Sequence, residues 1–129
     1  MARKATKRPT DAELAILGVL WDRGPCTVRE VQEQLAPDGS IGYTTVLKTL
    51  QIMTDKQLVL RDEASRAHVY RAKRSRDETQ SHLVSDLAER AFDGSTSKLV
   101  LRALSSRPAS RSEIAEIRRL LDEFAVDES

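Results

Sequence analysis

Four times along this 129-residue chain a Ser or Thr is followed three positions later by Glu: Thr10 to Glu13, Thr27 to Glu30, Ser75 to Glu78 and Ser110 to Glu113. In such a capping box the hydroxyl and the carboxylate each satisfy a backbone N–H that the first turn of a helix leaves free. Each match is therefore a helix start. After Thr10, Leu14, Leu17 and Trp21 recur at helical spacing with Ile16 and Leu20 beside them, until Gly24-Pro25 ends the run. After Thr27 come Val28, Val31 and Leu35, then the breakers Pro37 and Gly39. A third helix, from about Tyr43 to Lys56, places Val46, Leu50 and Met53 on one side with Leu47 flanking. Two strand-like runs, 58–61 and 67–71, then read as a two-stranded β-hairpin closed by residues 62–66.

From Ser75 onward the pattern is helical again. Leu83, Val84, Leu87, Ala88 and Ala91 form a heptad-like seam that stops at Asp93-Gly94. A short helix containing Leu99, Val100, Leu101, Ala103 and Leu104 is apolar nearly all round and is expected to be buried. The last helix carries Ile114, Ile117, Leu121 and Phe124 on one side. Aromatic residues make up only 4% of the chain, so its core must come from aliphatic side chains, and short chains of this kind gain buried surface by self-association. The expected fold class is mainly α with a small β-hairpin. A flexible basic arm over 1–8 precedes an N-terminal winged helix-turn-helix over 9–73, and a C-terminal three-helix dimerisation domain covers 74–129.

The third helix is the candidate recognition helix. Thr44, Thr45, Lys48, Gln51 and Ile52 lie on the half turned away from Val46 and Leu50. Threonines at a helix N-terminus can hold a phosphate and touch a thymine methyl, and Lys48 one turn on can reach a phosphate or a guanine. Tyr43 can stack on or hydrogen-bond the nucleic-acid backbone. A solvated helix face would look the same in isolation. The hairpin decides between the two, because Arg61, Arg66, His68 and Arg71 gather donors where neighbouring phosphates would lie. In the arm, Arg3, Lys4, Lys7 and Arg8 can add affinity by displacing counterions.

Charge agrees in sign with a DNA-binding first half, though weakly. The net charge is +1, with 12 Lys and Arg against 9 Asp and Glu in residues 1–73, and 9 against 11 in the remainder. Cys26 is the single cysteine, which excludes an internal disulfide or a cysteine-based zinc cluster and fits a reducing cytoplasm; it is read as a buried, inert thiol. No apolar stretch approaches the roughly 20 residues needed to span a bilayer, so no direct membrane binding is expected. His68 and His82 fall in different elements, without the Ser, Asp, paired-carboxylate or phosphate-loop spacing that catalysis requires. An enzyme, a cofactor and a metal are not expected.

The stretch Leu14 to Trp21, the run Thr27-Val28-Arg29-Glu30-Val31, Tyr43-Thr44-Thr45-Val46 with Leu47 and Leu50, Lys56, Leu58-Val59, and Arg66-Ala67-His68-Val69-Tyr70 together resemble the penicillinase-repressor family. The likeness runs from about Pro9 to Phe124. It implies repression of a nearby operon by a homodimer bound to a palindromic double-stranded operator, with Thr44, Thr45 and Lys48 making recognition-helix contacts. It also places Leu83, Leu87, Leu99, Leu101, Ile117 and Leu121 in the dimer region. Members of the antibiotic-response type are inactivated when a membrane sensor protease triggers cleavage in the middle helix of that region. The corresponding segment here is 98–103, with Arg102-Ala103 at the cleavage position in place of the Asn-Phe type pair of the staphylococcal repressors. The chain departs from the family pattern at Ile52-Met53, where an Arg-Leu pair is common, and at Gln57, where a Gly usually precedes the first wing strand. The cysteine-rich tail of the copper-responsive branch is absent. The alternative function is a winged helix that docks a protein partner, with Ile52 and Met53 on the docking face and no DNA bound.

Overall fold

The computed structural model describes residues 8–64 and 66–125. Among them the order of elements is α1 (Asp11–Arg23), β1 (Cys26–Thr27), α2 (Val28–Leu35), α3 (Tyr43–Asp55), β2 (Val59–Asp62), β3 (Val69–Ala72), α4 (Arg76–Ala91), α5 (Thr96–Ser106) and α6 (Arg111–Phe124). The chain divides into two compact units, Met1–Leu83 and Val84–Ser129.

The capping boxes form where the spacing places them. Thr10 and Thr27 each accept from the N–H three residues on, and Glu13 and Glu30 each accept from the cap N–H, at 2.8–3.2 Å. Ser75 and Glu78 make the same exchange at the start of α4. At α6 the Ser110 hydroxyl accepts from the Glu113 N–H at 3.1 Å. The start of α5 carried no such signal, because its cap, Ser95, is followed by Lys98 rather than Glu; the Ser95 hydroxyl still accepts from the Lys98 N–H. α1 stops where Gly24 adopts φ +85°, a conformation open to a residue without a Cβ.

The expected two-stranded hairpin is part of a three-stranded antiparallel sheet of order β1-β3-β2. Cys26 pairs with Tyr70 and Thr27 with Val69, while Val59 to Asp62 pair with Ala72 to Val69. The extra strand is two residues long, too short to show alternation. Its pairing ties the turn between α1 and α2 to the root of the wing. The core of this unit joins Ile16, Leu17 and Leu20 of α1 to Val31, Val46, Leu50 and Met53 of the next two helices and to Val59 and Tyr70 of the sheet. Each such side chain contributes about 1.5–3 kcal/mol on burial, which is what holds α3 against the domain by its apolar side. Trp21 is half-buried against this core and donates its Nε1–H to the Arg74 carbonyl at 3.0 Å, fixing the chain as it leaves the sheet.

The last three helices depart from expectation in one respect. No residue of α4, α5 or α6 is buried in a single chain. Leu83, Leu99 and Ile117 are half-buried, whereas Leu87, Leu101 and Leu121 are exposed. The nearly all-apolar α5, expected to be buried, is therefore not covered by its own chain.

Candidate nucleic-acid interface

α3 separates its two sides as the sequence predicts. Val46, Leu50 and Met53 are at most 1% exposed, while Thr44, Thr45, Lys48, Gln51 and Ile52 are open to solvent. Gly42 caps the helix without a side-chain hydrogen bond, which leaves the first-turn N–H groups next to the Thr44 and Thr45 hydroxyls. Among the described residues neither hydroxyl has a partner, and Lys48 has no ion pair. Thr49 differs, since its hydroxyl turns back to the Thr45 carbonyl at 2.8 Å. The polar side of the helix thus offers donors at its start and a cation one turn later.

Three contacts bear on the pose of α3. At its C-terminal end the Lys56 ammonium meets the Glu13 carboxylate at 2.8 Å, and the two side chains are only 15% and 4% exposed. The same ammonium donates to the Arg8 carbonyl at 3.3 Å. At its N-terminal end the Gln32 amide donates to the Ile41 carbonyl at 3.1 Å, holding the turn between α2 and α3. Of the basic arm, Arg3, Lys4 and Lys7 lie outside the described residues.

The wing cations fall into three groups. Arg61 and His68 both face Glu63, at 3.3 and 3.7 Å, so one carboxylate offsets part of the positive charge there. Arg66 is exposed and, among the described residues, has no ion pair. Arg71 pairs opposite Leu60 and alternates with the buried Tyr70, which puts it on the other face of the sheet from Arg61. It lies beside Trp21, Gly24 and Pro25 rather than with Arg66 and His68. The four residues grouped by the sequence are therefore not one patch.

Arg66 and His68 instead meet α2 and the start of α3 around a cleft of about 410 Å³. Arg29 belongs to this cleft, its guanidinium 5.5 Å from the centre of the Tyr43 ring, within cation–π range. Sequence reading missed Arg29. Its place one residue after the buried Val28, on the solvent side of α2, was the available signal. Tyr43 is 43% exposed, with one side of its ring under this guanidinium. Tyr70 also lines the cleft, is fully buried, and its hydroxyl has no hydrogen-bond partner among the described residues.

The remaining candidates for chemistry are dispersed. His82 lies exposed on α4, away in sequence and element from His68. Burial pushes the Cys26 thiol above its ordinary pKa, and nearby Glu30 adds to the shift. Its S–H donates to the Gly24 carbonyl at 3.3 Å. A protonated, buried sulfur is a poor nucleophile. No group of three or more His, Cys, Asp or Glu suited to a metal ion occurs among the described residues, and none of their helices is long and apolar enough to cross a membrane.

Comparison with known proteins gives this arrangement its context. The penicillinase repressor family matches residues 9–123. The transcriptional regulator BlaI of Mycobacterium tuberculosis, from strain CDC 1551 / Oshkosh and from strain ATCC 25618 / H37Rv, is 36% identical over 115 residues, covering 88% of this chain and 83% of the relative. A winged-helix unit with a polar recognition-type helix and a match across nearly all of its length identify the chain as a member of the penicillinase repressor family.

Proposed function

We propose that this chain is a cytoplasmic transcriptional repressor that binds a palindromic operator as a homodimer, with α3 in the major groove. The observation that carries the reading is the outward side of α3, where Thr44, Thr45 and Lys48 stand exposed and without intramolecular partners among the described residues. A helix of this width fits the major groove, and the free N–H groups at its start suit a phosphate. Ile52, 52% exposed, fits the same picture as an apolar contact for a thymine methyl. Self-association follows from α4 to α6, whose exposed Leu87, Leu101 and Leu121 need a second surface. The half-buried Leu83, Leu99 and Ile117 extend that surface. Catalysis has no part in this function. A membrane sensor protease acts indirectly: a cut at the exposed Arg102-Ala103, in the middle of α5, divides the dimer surface and releases the DNA.

The test is a gel shift with the intergenic DNA upstream of the gene. Two half-sites about 10 base pairs apart, or a multiple of that, should be protected by one dimer. Affinity should fall steeply with salt, by a slope of about 0.9 per phosphate neutralised. Lys48→Ala should weaken binding by about 1–3 kcal/mol through a lost base contact. Equal binding of parent and variant to every duplex would refute the reading. A protein partner docked on Ile52 is the second reading, favoured by its exposure, although Met53, expected beside it on the docking face, is buried in the core of the first unit; a stable partner recovered with no DNA retained at low salt would select it.

A further inference from the structure

We propose that the cleft between α2, the start of α3 and the wing binds a small organic anion, a carboxylate on a flat apolar body, and that its occupation competes with DNA. The volume of about 410 Å³ lies in the range of small-molecule sites, about 300–1,000 Å³. Two guanidinium groups line it, those of Arg29 and Arg66, and among the described residues neither has an ion pair. The nearest acid on α2, Glu30, is committed to the Thr27 N–H at 2.8 Å. Positive charge in the cleft is thus left for a ligand, and guanidinium groups suit a carboxylate because they present paired, parallel donors. Between these cations the walls are apolar or aromatic: Val28, Leu47 and the Tyr43 ring.

A DNA phosphate would use the cations but not the rest. Val28, Leu47 and the Tyr43 ring offer a phosphate no donor, whereas they suit an apolar body joined to a carboxylate. The cleft therefore joins a cationic mouth to a flat apolar wall, the complement of an aromatic carboxylate. Coupling to DNA rests on the operator reading, because Tyr43, Arg66 and His68 are shared by both roles. Binding of the anion does not rest on it.

The experiment titrates the full chain with sodium benzoate at constant ionic strength, following ¹H–¹⁵N NMR shifts, with benzamide and inorganic phosphate as comparison probes. Saturable shifts centred on Arg29, Tyr43, Leu47 and His68 are expected, with Kd on the order of 1 mM for so small a ligand. Benzamide should not saturate. Arg29→Gln should weaken benzoate by about tenfold. In a parallel gel shift, benzoate at about ten times its Kd should raise the apparent Kd for operator DNA by about tenfold, and equal sodium chloride should not. Absence of saturation, shifts centred elsewhere, phosphate binding more tightly than benzoate, or benzoate bound with unchanged DNA affinity would each overturn the proposal. A chain that saturates with benzoate but binds no duplex would support the site and sink the operator reading alone.

Discussion

Lys56→Met should be among the most damaging single changes in the first unit, although Lys56 lies at the end of a helix. The methionine retains most of the stem packing and removes the charge that faces Glu13 at 2.8 Å. Glu13 would then be a carboxylate 3% exposed with one remaining donor, the Thr10 N–H at 2.9 Å. Breaking a buried pair by removing one partner costs about 3–5 kcal/mol, because the other charge is left uncompensated away from water. The surviving Thr10 bond places the expected loss at the lower end, about 3 kcal/mol. For a unit of this size each kcal/mol moves the Tm by about 4–8 °C, so a fall of roughly 12–24 °C is expected. Urea unfolding followed by circular dichroism should show a lower midpoint at unchanged slope. Glu13→Gln in the Lys56→Met background should recover much of the loss, since a neutral amide is cheaper to bury. A Lys56→Met protein within about 1 kcal/mol of the parent, or a double variant no more stable than the single one, would refute the assignment of a buried, coupled pair.

Three further outcomes follow from particular residues. Gln57 holds φ +64° at the turn from α3 into β2. Relief of about 1–2 kcal/mol of left-handed strain, less about 0.5–1 for the freer unfolded chain, should make Gln57→Gly a gain of about 0.5–1 kcal/mol by the same urea assay. Glu63→Gln frees Arg61 and His68 from their shared acid, so operator affinity should rise at low ionic strength and converge on the parent value as salt screens the wing. The Thr27 backbone N–H, then its hydroxyl, holds the Glu30 carboxyl below its ordinary value of 4.5. A depressed acid stabilises the fold above its unfolded pKa and loses that contribution as pH falls through the folded one. Glu30→Gln should therefore lower the Tm relative to the parent near neutral pH, and the two curves should draw together in acid.

Much of the helical framework was legible because its determinants are local. Thr10, Thr27, Ser75 and Ser110 mark four helix starts through contacts three residues long, and Val46, Leu50 and Met53 mark the buried side of α3 through a single helical period. Even the departure at Gln57 carried information. The resemblance led to Gly being expected there, and the position adopts φ +64°, so the chain's own residue is under strain. The strand β1 escaped notice because two residues show no alternation, and it exists only through pairing with Tyr70 and Val69 more than forty positions away. The interface was harder to read for the same reason. Arg29 reaches Tyr43, Glu13 reaches Lys56, and Glu63 draws in His68 through proximity that no local pattern encodes.

The C-terminal helices show where helical periodicity misleads. A period of three and four residues records which side of a helix is apolar, and it says nothing about which surface meets that side. For α1 to α3 the partner is the same chain, so apolar residues at core spacing are buried in a single copy. For α5 the same inference predicts burial, yet Leu101 is 57% exposed and Leu99 only half-covered. Leu121 and Phe124 of α6, at 57% and 77%, repeat the pattern. Leaving several such side chains in water forfeits about 1.5–3 kcal/mol each, a loss that an 11-residue and a 14-residue helix cannot recover from backbone hydrogen bonds alone. The proposed homodimer resolves this, because a second copy supplies the missing surface and holds two α3 helices at one spacing. Leu101→Glu should therefore abolish self-association and operator affinity together while leaving the first unit folded, and a Leu101→Glu protein that remains dimeric in sedimentation would place the interface elsewhere.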